Sequence, residues 1–177
     1  MQPSLDAIEI EPGTRLRRWR DADLDDLVQH ADDAEVARGL SHRFPNPYTR
    51  ADAAAFLAGR VVDLRDPVFA IEIDGQACGG IGVRPGEGGR AVGAELGYWL
   101  GRRYWGQGRM TRIVGVFSPT IMEALGLERL QATVLAFNTA SARVLRRNGF
   151  AQEGVMRRAV RKHDDVHDLL LFARLRE

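Results

Sequence analysis

The segment Tyr98-Trp99-Leu100-Gly101-Arg102-Arg103-Tyr104-Trp105-Gly106-Gln107-Gly108-Arg109-Met110-Thr111 holds the residues best suited to chemistry. An apolar, strand-like run passes into a glycine-containing turn, and the turn passes into a helical pattern. That order points several backbone N–H groups at one spot, backed by the positive end of the helix dipole. Glycine lets a backbone approach an anion closely and adopt a positive φ. A pyrophosphate is the natural guest of such a cradle. Two other phosphate motifs are missing from the chain. There is no G-x-x-x-x-G-K-[ST], and no G-x-G-x-x-G after a first strand with an acidic residue about 20 positions later.

Other reactive residue types lead to plainer readings. Cys78 is the single cysteine, so it forms neither an internal disulfide nor a multi-cysteine zinc site. Within Ala77-Cys78-Gly79-Gly80 it reads as a small buried hydrophobe in a strand rather than a reactive thiol. His42 and His163 fall in expected loops without a partner at metal-ligand spacing. Asp164-Asp165-x-His167-Asp168 reads as turn chemistry followed by strand alternation, so no metal site is expected.

The elements that must position the cradle follow from periodicity. A first strand is expected over 14–19, and one or two short helices over 21–40, with Asp21 and Asp23 as caps and Gly39 as a stop. Residues 41–48 form a loop. Thr49 then caps a helix running to about 64. Strands over 68–73 and 77–83 flank Asp74-Gly75, a tight-hairpin signal, and a third strand of the meander covers 90–100. A helix follows over 108–125 with Pro119 inside it, where a kink is expected, and Gly126 after its end. Then come a strand over 129–135, a helix over 138–148 and two strands near 151–160 and 167–175. This order predicts a mixed α/β or α+β domain around one sheet, not a doubly wound repeat.

Length and composition agree with that picture. A chain of 177 residues suggests one domain with a core of its own. Lys plus Arg is 25 and Asp plus Glu is 24, a balance that argues against nucleic-acid binding. Residues 1–12 carry Asp6, Glu9 and Glu11 and no apolar h-region, so they read as an N-terminal extension and not a signal peptide. No apolar run has the length of a membrane span. The expected compartment is the cytoplasm.

Three separated blocks resemble one family. Gly97-Tyr98-Trp99-Leu100 followed by Tyr104-Trp105-Gly106-Gln107-Gly108 is similar to the acetyl-CoA signature of GNAT acetyltransferases, in the subgroup of the ribosomal-protein (alanine/serine) N-terminal acetyltransferases. Asn138-Thr139-Ala140-Ser141-Ala142-Arg143-Val144-Leu145-Arg146-Arg147-Asn148-Gly149-Phe150 resembles that subgroup's N-x-x-S-x-x-V-L-x-x-x-G-F segment. Gly154 and the final run 167–175 fit its last strand. There are departures. Trp105 and Met110 stand at the first and last positions of the general [RQ]-x-x-G-x-[GA] pattern. Val160 stands where some members carry a glutamate.

The resemblance implies the GNAT fold, a single mixed, mostly antiparallel, splayed sheet of about seven strands flanked by helices. It implies an acetyl-CoA-dependent N-acetyltransferase in which an amine attacks the thioester directly in a ternary complex. The coenzyme's pyrophosphate would lie over Trp105, Gly106, Gln107, Gly108, Arg109, Met110 and Thr111. A backbone N–H near Trp99 or Leu100 would face the acetyl carbonyl. Asn138 caps its helix and binds the pantetheine arm, and Ser141 protonates or orients the coenzyme sulfur. Glu95 is the candidate general base, directly or through water. Arg102, Arg103, Arg109, Arg143, Arg146 and Arg147 surround this site, with Arg109 and Arg146 taken to hold phosphate. No metal is required. The acceptor is expected to be a peptide or protein N-terminal α-amine. A small amine acceptor, or a non-catalytic acyl-CoA sensor, stays open. The acidic residues Asp21, Asp23, Asp25, Asp26, Asp32, Asp33 and Glu35 fall on the early helices, where they either attract a cationic acceptor or form a solvated helix face. Dimers are common in the family, so a homodimer is also open.

Overall fold

The computed structural model describes residues 5–177. In chain order its elements are β1 (Ala7–Glu11), β2 (Thr14–Arg18), α1 (Leu24–Ala31), α2 (Ala34–Arg38) and α3 (Arg50–Leu57), then β3 (Val68–Ile73), β4 (Gln76–Pro85) and β5 (Gly93–Leu100). They continue with α4 (Arg109–Leu125), β6 (Arg129–Leu135), α5 (Thr139–Arg147), β7 (Ala151–Lys162) and β8 (Asp165–Leu175). Short 3₁₀ turns lie at Asp21–Asp23, Gly88–Arg90 and Arg102–Tyr104. The strands form one open mixed sheet in the order β1-β2-β3-β4-β5-β6-β8-β7. This is the expected α+β architecture with one strand more than the seven read from the sequence. The extra strand is β1, inside the segment read as an extension. Residues 1–4 of that segment lie outside the described residues. β1 is short and its alternation is carried mainly by Ile8, which is buried, so periodicity alone gave little signal.

The chain divides into two units. The first comprises residues up to Val83 together with Gly97–Gln107. Its strands β1 to β4 form an antiparallel meander, with Leu16 opposite Ile71 and Phe69 opposite Ile81. Asp74 and Gly75, at φ 49° and 86°, make the left-handed two-residue turn that right-twisted strands favour. Leu27, Ala31, Tyr48 and Ala53 form a core under α1 and α3, and Trp19 and Phe56 meet edge to face at 5.2 Å beside it. Thr49 and Asp52 cap α3 reciprocally, as the sequence suggests. The helix stops at Leu57 instead of reaching 64. Gly59 turns left-handed at φ 72° and its N–H returns to the Phe56 carbonyl, which closes the last turn early. Val61, whose spacing extends the apparent helical period, is exposed.

The second unit comprises Arg84–Leu96 and Gly108–Glu177. Here β5 and β6 are parallel neighbours from Gly93 opposite Arg129 to Glu95 opposite Gln131, and β6 continues antiparallel to β8 along its whole length. Ile113, Val114, Phe117 and Ile121 recur at helical spacing on α4 and are fully buried. Leu130, Leu145 and Phe172 are buried in the same unit. α4 runs on through Pro119 and ends at Gly126, which is left-handed at φ 62°.

Candidate active site

The turn that leaves β5 is closed by its own side chains. The Gly101 N–H donates to the Cys78 carbonyl at 2.7 Å, which ties the start of the turn to β4. Tyr104 N–H returns to Gly101 O, and Trp105 N–H to Arg102 O. The Trp105 indole N–H donates to the Leu100 carbonyl at 2.7 Å, and the Gln107 amide donates to Arg103 O at 3.1 Å. Behind the turn, the His30 ring of α1 lies 5.8 Å from the Tyr104 ring. His30 is buried and its Nε2 has no partner. Burial, with the nearby Arg103 charge second, pushes its imidazole below the ordinary histidine value, against a smaller opposing effect of Asp26. Cys78 is fully buried and its thiol is pushed up by burial, in keeping with an inert side chain.

Beyond the turn, the backbone opens. Gly106 and Gly108 adopt φ 72° and 70°, where any side chain would be strained. Gly108 is the N-cap of α4 and, as a glycine, supplies no capping side chain. The first N–H groups of a helix have no intrahelical acceptor, so an uncapped N-terminus is suited to an anion. The Arg112 guanidinium folds back over this point. Its Nη1 would lie 3.1 Å from a β-carbon at Gly108. Arg112 was not singled out in the sequence. The signal that finds it is its position four residues after Gly108, which places it one turn along the same helix face. Arg109, Met110 and Thr111 are half-buried in the first turn of α4. Trp105, Gly106, Gln107 and Gly108 are exposed.

The next helix in the second unit begins at Asn138. Its side-chain oxygen accepts from the Ser141 N–H at 3.1 Å, so Asn138 caps α5 as expected. This places Ser141, half-buried, in the first turn of the helix. Other expected site residues have partners elsewhere. Glu95 binds the Arg84 guanidinium at 2.6 Å and lies 3.5 Å from the Thr133 hydroxyl. Arg146 donates to Gln152 at 2.9 Å and stacks over the Phe172 ring at 5.3 Å, an arrangement that anchors α5 to β7 and β8. Trp99 and Leu100 lie on β5, the first half-buried and the second buried, and Trp99 meets Phe44 at 5.6 Å. Val160 pairs with His167 beyond an irregularity in β7.

Several of the early acidic residues are bound within the fold, although Asp21, Asp25, Asp32 and Glu35 are exposed. Asp23 is buried and binds both terminal nitrogens of Arg17 at 2.8 Å. Asp26 accepts from the Ala77 N–H at 3.0 Å and Asp32 from the Tyr48 N–H at 2.9 Å. Asp33 caps α2 through the N–H groups of Glu35 and Val36. Asp25 pairs with Arg50, and Glu35 lies 3.7 Å from Arg38. Most of the carboxylates expected to attract an acceptor thus already have partners within the protein. Asp23 and Asp26 tie the early helices to β2 and β4, and Asp25, Asp32, Asp33 and Glu35 bind groups of α2, α3 and the Tyr48 loop. Charge counts along a sequence cannot distinguish these two uses, because capping and pairing depend on folded neighbours.

Comparison with known proteins bears on the fold and the family. The model of the acetyltransferase (GNAT) domain matches residues 14–151. The chain is 29% identical over 170 residues to the uncharacterized N-acetyltransferase p20 of Bacillus licheniformis, covering 91% of this chain and 92% of that protein. It is 32% identical over 82 residues to the ribosomal-protein-serine acetyltransferase of Escherichia coli K12, covering 46% of each chain. A solved ribosomal L7/L12 alpha-N-protein acetyltransferase in complex with coenzyme A shares the fold. Its TM-score is 0.82 at 21% identity, over 96% of this chain and 97% of that one. An open mixed sheet, a left-handed glycine turn at the start of a helix and a domain match that takes in most of the chain lead to one assignment: this chain belongs to the GNAT acetyltransferase family and is an N-acetyltransferase.

Proposed function

We propose that residues 1–177 act as one GNAT domain that transfers the acetyl group of acetyl-CoA to the α-amine of a peptide or protein N-terminus. The observation that carries the coenzyme part is the start of α4. Two left-handed glycines, one of them an N-cap that supplies no capping side chain, and the Arg112 guanidinium meet within one helical turn, which suits a pyrophosphate. Acetyl-CoA supplies the activated acetyl group when bound. Residues 106–111 with Arg112 hold its phosphates, and Trp99 and Leu100 offer β5 backbone to the acyl end. Asn138 orients the first turn of α5, and Ser141 holds the proton needed at the sulfur.

The acceptor part rests on amine chemistry and on likeness to ribosomal-protein acetyltransferases. An α-amine has a pKa of about 7.7–8.0 and a lysine of about 10.4, so at pH 7 the neutral amine costs about 1 kcal/mol for the former and about 4–5 kcal/mol for the latter. With Glu95 bound to Arg84 and Val160 in place of a glutamate, the smaller cost favours an α-amine. The test is thiol release from acetyl-CoA with lysine-containing peptides whose N-termini are free or blocked, beside amino acids and polyamines. Free N-termini should turn over and blocked ones should not. Equal turnover of blocked peptides, or turnover of small amines alone, would overturn the acceptor assignment.

A further inference from the structure

Asn148, the residue that ends α5, makes an unusual set of bonds. Its side-chain Nδ2 donates to the carbonyl of Val144, one turn back in α5, at 2.9 Å. The same nitrogen donates to the carbonyl of Thr111, in the first turn of α4, at 3.0 Å. The first bond satisfies one of the carbonyls that a helix leaves open at its end. The second reaches another helix, at the turn that follows Gly108. Its geometry depends on Gly115. A β-carbon there would lie 2.9 Å from Asn148 Oδ1, closer than side-chain atoms pack. The residue is held from a third side, because Arg174 of β8 donates to the Asn148 backbone carbonyl at 3.2 Å. One side chain thus links the C-terminus of α5 to the N-terminal turn of α4, and the glycine opposite leaves room for nothing larger.

We propose that Asn148 is a positioning residue that sets α5 against α4, so that the helix carrying Asn138 and Ser141 and the helix turn at Gly108 meet one coenzyme molecule at the same time. The inference rests on the coenzyme reading given above. An extended ligand that touches two helices binds with full strength only when both contacts are in register. Loosening the clamp leaves each contact intact but adds an ordering cost when both form.

This gives a signature that a purely structural role lacks. The probes are acetyl-CoA and its nucleotide half, adenosine 3′-phosphate 5′-diphosphate, each titrated by calorimetry into the full chain. Asn148→Ala should bind the nucleotide half within about twofold of the parent and acetyl-CoA about tenfold more weakly, the scale of one net hydrogen bond. Gly115→Ala leaves Asn148 in the sequence but displaces its side chain, and it should give the same split. It carries the test alone if Asn148→Ala does not fold. Unchanged acetyl-CoA affinity in a folded variant overturns the inference, and so does an equal loss for both probes. Failure of the parent chain to bind acetyl-CoA would overturn the coenzyme reading itself, and this inference with it.

Discussion

Asp23, Asp32 and Asp33 spend their carboxylates on the protein's own groups, whereas the N-cap of α4 is a glycine that supplies no capping side chain. Both regions stand out in the sequence, one by a run of acids and one by a glycine turn. The fold uses them in opposite ways. The acids fix loops and helices of the first unit, and the carboxylate of Asp23 together with that of Glu72 keeps Arg17 charged despite its burial. The turn between Leu100 and Gln107 is bonded to itself, and directly after it the backbone is left open. Polar groups that serve the fold are already satisfied in the protein alone. On the coenzyme reading proposed above, the groups at the start of α4 keep their capacity for a ligand, at a site held by its neighbours.

That comparison predicts different failures for the two regions. The largest effect is expected at the turn. Gly108→Glu places a bulky anion at the mouth of the cradle and against a φ of 70°, so acetyl-CoA binding should vanish while the chain still folds. Calorimetry beside a thermal melt checks it, and unchanged affinity in a folded variant would remove the cradle from this position. Next is Ser141→Ala. If the hydroxyl delivers a proton to the leaving sulfur, kcat should fall by about 10²–10⁴ with little change in coenzyme affinity. Wild-type turnover would leave Ser141 as an ordinary residue of the first turn of α5.

In the acidic region the damage should be to stability and not to chemistry. Asp23→Ala leaves Arg17 buried with one carboxylate partner, Glu72, and should cost about 3–5 kcal/mol of folding free energy. Coenzyme affinity of the fraction still folded should not change. Denaturant unfolding and calorimetry at low temperature separate the two. A smaller effect is expected from His30 and depends on pH. Its imidazole is depressed in the folded state, so below about pH 6.5 the unfolded chain binds the extra proton first. Stability therefore falls as pH drops below that point, until the folded imidazole also titrates. In His30→Gln this part of the acid sensitivity should be gone. Parallel melting curves of the two proteins between pH 7 and 5 would show that His30 does not contribute.

Much of this was legible in the sequence, for identifiable reasons. The glycine turn before α4 could be read because its residues are contiguous and glycine answers to backbone geometry, so type and spacing suffice. The Asp74-Gly75 hairpin, the Thr49 cap and the Gly126 stop were legible on the same grounds. The partners of Glu95 and Arg146 were not, because Arg84 and Phe172 come close only through strand pairing and tertiary packing. Asn148 was hidden inside a matched motif, at a position the motif leaves free. Its partner Thr111 is 37 residues away in the chain.

The smallest expected effect tests the reading of the acids as parts of the fold. Asp25 lies in an exposed surface pair with Arg50, with its side chain 79% accessible, so its carboxylate can meet a solute. Exposed pairs contribute little to stability, because water and salt screen them and both side chains lose freedom in forming them. If the early acids are structural, Asp25→Asn should change the KM for a cationic peptide acceptor by less than about twofold, with little dependence on ionic strength. If they steer the acceptor by charge, loss of this exposed carboxylate should raise KM at low salt, and the difference from the parent should shrink as salt is added. Measuring KM for a lysine-rich peptide at two ionic strengths distinguishes the two. A salt-sensitive rise would make the acidic surface part of the acceptor site, even though Asp23, Asp26, Asp32 and Asp33 are bound to the fold.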